Sequence, residues 1–303
     1  MEQKQILEEI DPEIMDRLAT RREAIKKGAG ASAAVMAGLK MASVPIALAV
    51  LTKDVFGQAP TVVIDALNFA LTLEHLESEF YKAALGTATG TGAAAQNAAF
   101  APVRTQVNAN AKAKATLEQI SQHEIAHVNF LTTTIQSLGG TPVSFTPASF
   151  DFTGGNGNGN GPFLTATTDV NVLLQAAQVF EDTGVRAYKG QAGNLMSRNE
   201  ILEAALRIHS VEARHAAQIR RLRGVKSWIT GNRSDITNLP AATLAAIQLS
   251  YNGEDNKFHA GKDVTGLGAN NGGDDAVTAA FDEILTKEAV IFIVKDFIIG
   301  TNP

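Results

Sequence analysis

Two short motifs in the sequence pair a glutamate with a histidine three residues later. They are Glu124 with His127 and Glu212 with His215. On an α-helix, residues three positions apart lie on the same face, with Cβ atoms about 5–6 Å apart. One helix can therefore offer a carboxylate and an imidazole to the same metal ion. The chain contains no cysteine, which excludes thiolate zinc sites, iron–sulfur clusters, disulfide scaffolds and cysteine nucleophiles.

Two further glutamates complete a repeated pattern. Glu74 precedes Tyr81 by seven residues, and Glu181 precedes Tyr188 by seven. All four glutamates interrupt apolar helical stripes, where unpaired carboxylates are costly and repel one another. Two divalent cations would balance four carboxylate charges while both histidines stay neutral. We therefore predict a centre of two divalent metal ions, with the ligands Glu74, Glu124, His127, Glu181, Glu212 and His215.

The repeat also predicts how the ligands divide. The two halves look like copies of one helical hairpin, related by a pseudo-twofold axis through the metal pair. In this interpretation Glu74 and Glu181 each bind from one helix, the glutamates of the two motifs bridge, and the histidines are terminal ligands. The oxygen-rich set suits both iron and manganese, and we favour iron.

Both tyrosines of the repeat are predicted beside the ligands. Tyr81 and Tyr188 are placed to hydrogen-bond ligating carboxylates or to act as oxidisable neighbours, and plain core packing is equally compatible with their positions. Three nearby histidines, at positions 75, 123 and 209, point away from the stripes. We interpret them as structural, or as neighbours of the ligands.

Other charged residues near the motifs are given secondary roles. Glu77 and Glu79 have no counterparts in the second hairpin, so we place them at the surface or beside the site, with Glu77 as the reserve ligand. Asp182 and Arg214 are candidates for orienting ligands, although ion pairing on the helix surface is the favoured interpretation.

Four segments with helical periodicity must position these residues. They run from about Thr61 to Leu85, Val103 to Leu138, Thr168 to Ala192 and Asn199 to Arg223. A glycine-rich link at 86–92 joins the first pair, and a longer crossover at 139–167 separates the pairs. The pattern predicts an all-α four-helix bundle of two helical hairpins with one long crossover.

Composition limits the class of protein, and the C-terminal part of the sequence has its own character. Of 303 residues, 45% are hydrophobic and 19% charged, with a net charge of −5, which indicates a folded chain without a nucleic-acid footprint. Residues 228–303 read as a loop-rich extension that closes with a helix around Lys287–Ile299. The acidic, glycine-rich stretch Asp263–Asp275 lacks the regular spacing of a calcium loop, so a surface loop is favoured over a cation site.

The first 59 residues resemble an export signal. Arg21 and Arg22 precede a weakly apolar run from Gly28 to Leu51, as in a twin-arginine signal, and a cleavage site is conceivable near Ala59. We predict an exported protein of the periplasm or cell envelope, with the export machinery as a partner, and leave cleavage undecided. An ordinary amphipathic N-terminal helix is the alternative. The predicted division is 1–59 signal or helix, 60–227 bundle and 228–303 extension.

Three stretches carry a resemblance to a known family. Residues 67–81, 180–190 and 208–216 resemble the ferritin-like domain family of bacterial envelope proteins and plant desiccation-related proteins. The resemblance implies a ferritin-like bundle with a di-iron-type carboxylate centre. The ligand scheme is also similar to that of rubrerythrin and manganese catalase, although the cysteine-bound iron module of rubrerythrin cannot exist here.

From these observations we predict an exported dimetal oxidoreductase that reacts with O2 or hydrogen peroxide, in ferroxidase- or peroxidase-like chemistry. One alternative is peroxide disproportionation of the manganese-catalase type. Another is a non-catalytic envelope or stress-protection protein whose metal centre is structural. Iron storage, with iron as the partner, would need a closed shell, and homo-oligomer formation stays open.

Overall fold

The computed structural model describes residues 60–270 and 272–300, and these are largely helical. The helices are α1 (Thr61–Leu85), α2 (Ala93–Ala99), α3 (Ala101–Ala109), α4 (Ala111–Ser137), α5 (Val170–Gln191), α6 (Asn199–Arg223), α7 (Ala241–Gln248), α8 (Gly273–Thr278) and α9 (Lys287–Val294). Strands β1 (Phe258–His259) and β2 (Lys262–Asp263) form a small antiparallel hairpin. Residues 1–59, where the export signal is predicted, lie outside the described residues. Within the described part, no helix has the length and apolarity needed to span a bilayer.

The four long helices form the bundle that the sequence predicts. α1 packs along α4, and α5 packs along α6, so the two hairpins are the main packing units. α1 and α6 begin and end where the periodicity predicts. Both end at a glycine with positive φ, Gly86 at 76° and Gly224 at 73°. This left-handed conformation suits glycine and lets the following amides cap the last carbonyls of the helix.

The second predicted helix is interrupted within its first quarter. Instead of one helix from Val103 to Leu138, the chain forms α3 and then α4, with a break at Asn110. Asn110 has extended backbone angles, and its side chain accepts a hydrogen bond from the amide of Ala113. Asparagine favours this N-cap role, so it starts a new helix where the apolar periodicity alone indicates a continuous one.

The crossover between the hairpins is organised around one buried carboxylate. Asp151 accepts hydrogen bonds from the amides of Thr153, Gly157 and Gly159 and from the Thr153 hydroxyl. These bonds lower the pKa of Asp151 even though burial acts to raise it. The glycine- and asparagine-rich sequence forms no helix, as predicted, and wraps the carboxylate instead.

The C-terminal extension covers the outer face of α5. Arg186 of α5 is buried, with its Nε 2.7 Å from Glu254 Oε1, and it donates to the carbonyls of Ser250 and Asn252. Tyr251 donates a hydrogen bond to Asp182, also on α5. The predicted closing helix is present as α9, and a short 3-10 turn, Lys295–Phe297, continues it.

The bundle core has two ends of different character, one on each side of the glutamates. At the alanine end, small residues of α1 and α6 pack with leucine and isoleucine; we define it by Ala66, Ala70, Leu131 and Ala205. At the phenylalanine end, aromatic rings fill the space; we define it by Phe80, Phe100, Phe152 and Phe180.

Candidate metal centre

The structure brings all six predicted ligand residues together at the middle of the bundle. All are buried: each of the four glutamates is 0% exposed and each of the two histidines 3%. They form two groups in which one nitrogen or oxygen atom of each residue lies within 4.8 Å of the others. The first group is Glu74, Glu124, His127 and Glu212, and the second is Glu124, Glu181, Glu212 and His215.

Helical spacing explains this convergence. Glu124 and His127 lie one turn apart on the inner face of α4, and Glu212 and His215 do the same on α6. Only Glu124 and Glu212 belong to both groups. Carboxylates shared in this way could serve both ions if a metal pair is bound.

The two histidines are the centres of the groups. His127 Nδ1 lies 3.1 Å from Glu74 Oε2, 3.2 Å from Glu124 Oε2 and 3.1 Å from Glu212 Oε1. His215 Nδ1 lies 2.8 Å from Glu124 Oε1, 3.2 Å from Glu181 Oε2 and 3.5 Å from Glu212 Oε2. Each imidazole thus faces one carboxylate of its own and the two that are shared.

The tyrosines cross between the hairpins. Tyr81 of the first hairpin donates a hydrogen bond to Glu181 Oε1 of the second. Tyr188 of the second donates to Glu74 Oε1 of the first. The exchange is reciprocal, as a pseudo-twofold axis requires. Each hydroxyl fixes one oxygen of its glutamate and leaves the other facing a histidine.

Burial and mutual charge divide the carboxyl groups into two kinds. Burial raises the pKa of Glu74 to about 8 and that of Glu181 well above its usual value, despite the neighbouring histidines. Burial acts in the same direction on Glu124 and Glu212, but the contacts of His127 and His215 outweigh it and hold the pKa of both below the usual range. Burial disfavours the charged imidazoles, yet the surrounding carboxylates raise the pKa of both histidines well above 6.5.

These shifts test whether the residues suit a metal pair. The directions of the shifts favour protonated histidines beside ionised Glu124 and Glu212, and neutral Glu74 and Glu181. Even so, Glu124 Oε1 and both oxygens of Glu212 are buried and accept no hydrogen bond, because one Nδ1 hydrogen cannot serve three carboxylates. Two divalent cations would supply the charge of the four protons on the histidines, Glu74 and Glu181, and would satisfy the orphaned oxygens. The donor set fits such a pair.

Glu77 and Glu79 are not surface residues. Glu77 is 3% exposed, and burial with the surrounding glutamates raises its pKa well above 4.5. Its space comes from Gly184, where a Cβ atom would lie 3.0 Å from Glu77 Oε1. Glu79 is also buried, and it pairs with Lys82 at 2.8 Å. Glu77 therefore lies beside the site, as one of the two predicted options allows.

The favoured surface role of Asp182 is also wrong. Asp182 is 2% exposed and accepts two hydrogen bonds from the guanidinium of Arg220, which is equally buried. The helix is covered here by the extension through Tyr251, which the periodicity of α5 alone could not show. Arg214 lies exposed on α6, which places it away from the buried ligands.

One histidine contact was not predicted as a specific interaction. His123 Nδ1 lies 2.9 Å from His215 Nε2, with the ring planes within 19° of parallel. His123 is only half-buried, so it links the site to the outer face of α4. His123 directly precedes Glu124, and the residue that directly precedes Glu212 in the second hairpin is Val211. His127 therefore has no histidine neighbour equivalent to His123.

The other two histidines have structural contacts. His75 packs edge-on against Phe145, and burial lowers its pKa to about 4. His209 Nδ1 lies 3.0 Å from the carbonyl of Val185. Neither belongs to the two groups of candidate ligands.

Comparison with known proteins places the bundle in a family context. The family model described as "Ferritin-like domain" matches residues 63–225, which include all six candidate ligands. A search of curated proteins finds no match to the chain.

Proposed function

The chain belongs to the ferritin-like domain family, and on that premise we propose that it is a dimetal oxidoreductase that reacts with O2 or hydrogen peroxide. The observation that carries the proposal is the pair of buried four-residue groups that share Glu124 and Glu212. A purely structural bundle gains nothing from burying four carboxyl groups, two of which have unsatisfied oxygens.

The residues that would hold the metals follow from the geometry. His127 and Glu74 would bind one ion, His215 and Glu181 the other, with Glu124 and Glu212 shared. When bound, two iron or manganese ions supply the electrons for two-electron reduction of an oxidant. We favour iron, and the same ligand set supports manganese and disproportionation of hydrogen peroxide.

The chain's own residues prepare the site for this chemistry. Tyr81 and Tyr188 each hold one oxygen of a glutamate across the hairpin interface, which fixes the direction of the remaining oxygen. Complete burial of the glutamates keeps bulk water away and strengthens every electrostatic contact. His123 bonds to the outer nitrogen of His215 and so favours the tautomer that leaves Nδ1 free for a metal.

A first experiment measures metal content and turnover. Native protein from its host should contain two iron or manganese ions per chain, and the loaded protein should consume O2 or hydrogen peroxide. Glu124→Ala should lose metal and turnover together because it removes a shared carboxylate. Glu118→Ala is the matched control, because Glu118 lies on the same helix and pairs with Lys114 at the surface. This variant should keep both metal and turnover.

Two results would contradict the proposal in different ways. Protein that binds two ions and melts higher with them, yet consumes neither oxidant, would favour the alternative of a structural centre in an envelope or stress-protection protein. Wild-type protein that binds no metal would remove the dimetal centre altogether. A closed shell in solution would favour iron storage.

We also propose that the protein is exported to the periplasm or cell envelope. The support is the sequence pattern of Arg21, Arg22 and the apolar run that follows. Fractionation of the native host should find the protein outside the cytoplasm, and replacing both arginines by lysine should retain it inside.

A further inference from the structure

A small cavity lies between the four long helices at the alanine end of the bundle. Its volume is about 20 Å³, which is room for one very small molecule. Short side chains from three of the four helices form much of its wall, among them Ala66, Ala70, Ala187 and Ala205.

The cavity reaches the candidate metal centre through one residue. Tyr188 forms part of its wall, and the Tyr188 hydroxyl donates to Glu74 Oε1. Leu73, the residue before Glu74, also lines it. Two residues of the cavity wall, Tyr188 and Leu73, are therefore directly connected to Glu74, one by a hydrogen bond and one along the chain.

The wall of the cavity has few groups that could hydrogen-bond to a polar molecule. Its polar side chains are Tyr188 and Gln191. The tyrosine hydroxyl is already bonded to Glu74, and Gln191 Oε1 accepts a hydrogen bond from Asn194. A buried water needs two to four polar partners. Since the other eleven residues of the wall are apolar, the cavity suits a small apolar molecule better than water or hydrogen peroxide.

The pseudo-symmetric position at the other end of the bundle is filled. Tyr81 corresponds to Tyr188, but Phe80 packs against it and against the rings of Phe100, Phe152 and Phe180, with centroids 5.0–6.0 Å apart. Repetition of the hairpin therefore does not by itself create the cavity. The difference lies in the alanines, which replace aromatic bulk at one end only.

We propose that this cavity is a binding site for dioxygen on its way to the metal centre, and that O2 rather than hydrogen peroxide is the oxidant. The inference rests on the proposed function and narrows its substrate. O2 is apolar, carries no hydrogen-bond donor and needs no polar partner in such a cavity, whereas hydrogen peroxide brings two O–H donors that the wall leaves unsatisfied.

Xenon tests the cavity without any turnover. Apolar cavities of proteins bind xenon, so the full-length protein should show xenon between Ala66 and Ala205, in crystals under xenon pressure or by 129Xe NMR. Ala205→Leu fills the cavity and should abolish xenon binding. Ala213→Leu is the matched control: it makes the same change on the same helix at an exposed position, and it should keep xenon bound.

Kinetics of the loaded protein then test the role of the cavity. Ala205→Leu should lower kcat/KM for O2 severalfold and leave the rate with hydrogen peroxide unchanged, while Ala213→Leu changes neither. If Ala205→Leu does not fold, Ile201→Val gives a milder test because it enlarges the cavity and should raise xenon occupancy.

The outcomes separate the two proposals. Wild-type protein without bound xenon, or an O2 rate that Ala205→Leu leaves unchanged, overturns the dioxygen site and leaves the oxidoreductase intact. Faster turnover with hydrogen peroxide than with O2 overturns the choice of oxidant alone. Loaded protein that consumes neither oxidant contradicts the proposed function itself, and with it the role of the cavity.

Discussion

Replacing Asp182 by leucine should destabilise the protein strongly, because it would leave a buried cation without its partner. Asp182 is 2% exposed, and so is Arg220, whose two terminal nitrogens both donate to its carboxylate. The remaining guanidinium nitrogen of Arg220, Nε, has no hydrogen-bond partner. Tyr251 also loses its acceptor, although Gln178 continues to donate to the Tyr251 hydroxyl.

The magnitude follows from the burial of the pair. Removing one partner of a buried, hydrogen-bonded ion pair costs about 3–5 kcal/mol. For a domain of this size, about 2–4 °C of melting temperature corresponds to 1 kcal/mol, so the shift is roughly 6–20 °C. Replacing both partners with apolar residues, in Asp182→Leu with Arg220→Met, should recover most of the loss, because no unpaired charge is left inside.

Equilibrium unfolding in urea, followed by far-UV circular dichroism, measures the free energy of unfolding of the wild type, the single variants and the double variant. The matched control is Asp275→Leu, which breaks the exposed pair of Asp275 with Arg233 at 2.8 Å and should leave the free energy of unfolding within experimental error. The reasoning is refuted if Asp182→Leu costs no more than the control. It is also refuted if the double variant is as unstable as the two single variants combined.

Three further predictions test other parts of the structure. His123→Ala should weaken metal binding at the position that contains His215 by about 10–100-fold and leave binding at the other position unchanged. A two-site metal titration measures both affinities, with Val211→Ala as the control. Equal weakening of both positions would contradict the prediction. Glu77→Gln should keep two metal ions per chain by elemental analysis. The metal-free variant should melt no lower than the metal-free wild type, because a neutral amide replaces a carboxyl group whose pKa is already raised. Loss of metal would show instead that Glu77 is a ligand. Burial raises the pKa of Glu254 to about 7 from 4.5 in spite of Arg186, so the stability that protonated Glu254 contributes is present below pH 4.5 and lost as the pH rises through 7. Between about pH 5 and pH 8, urea unfolding should show the wild type losing about 2.5 kcal/mol relative to Glu254→Gln. A pH-independent difference would contradict the shift.

The sequence predicts the bundle well because the physical signals are local. Apolar periodicity and a glycine at the C-terminal end place α1 at Thr61–Leu85 and α6 at Asn199–Arg223, as observed. The same periodicity misses the break at Asn110, since a helix start depends on one side chain capping the backbone and not on which face is apolar.

The candidate ligands converge for the same local reason, since each motif fixes two side chains on one helix face. Their neighbours depend on tertiary contacts that no local pattern contains. Asp182 is buried beneath the distant Tyr251, which donates a hydrogen bond to it, and Glu77 packs against Gly184 of another helix, where a Cβ atom would lie 3.0 Å from Glu77 Oε1. His123 was recognisable as a neighbour of the motif, but its bond to His215 crosses from α4 to α6.

The sharing of Glu124 and Glu212 means that neither half of the protein holds a complete group of candidate ligands. The group around His127 includes Glu212 from the second hairpin, and the group around His215 includes Glu124 from the first. Each tyrosine likewise reaches the glutamate of the opposite half. Metal loading would therefore report that the two hairpins have docked. A bound pair of ions would cross-link the two halves of the chain and hold them in one fixed alignment.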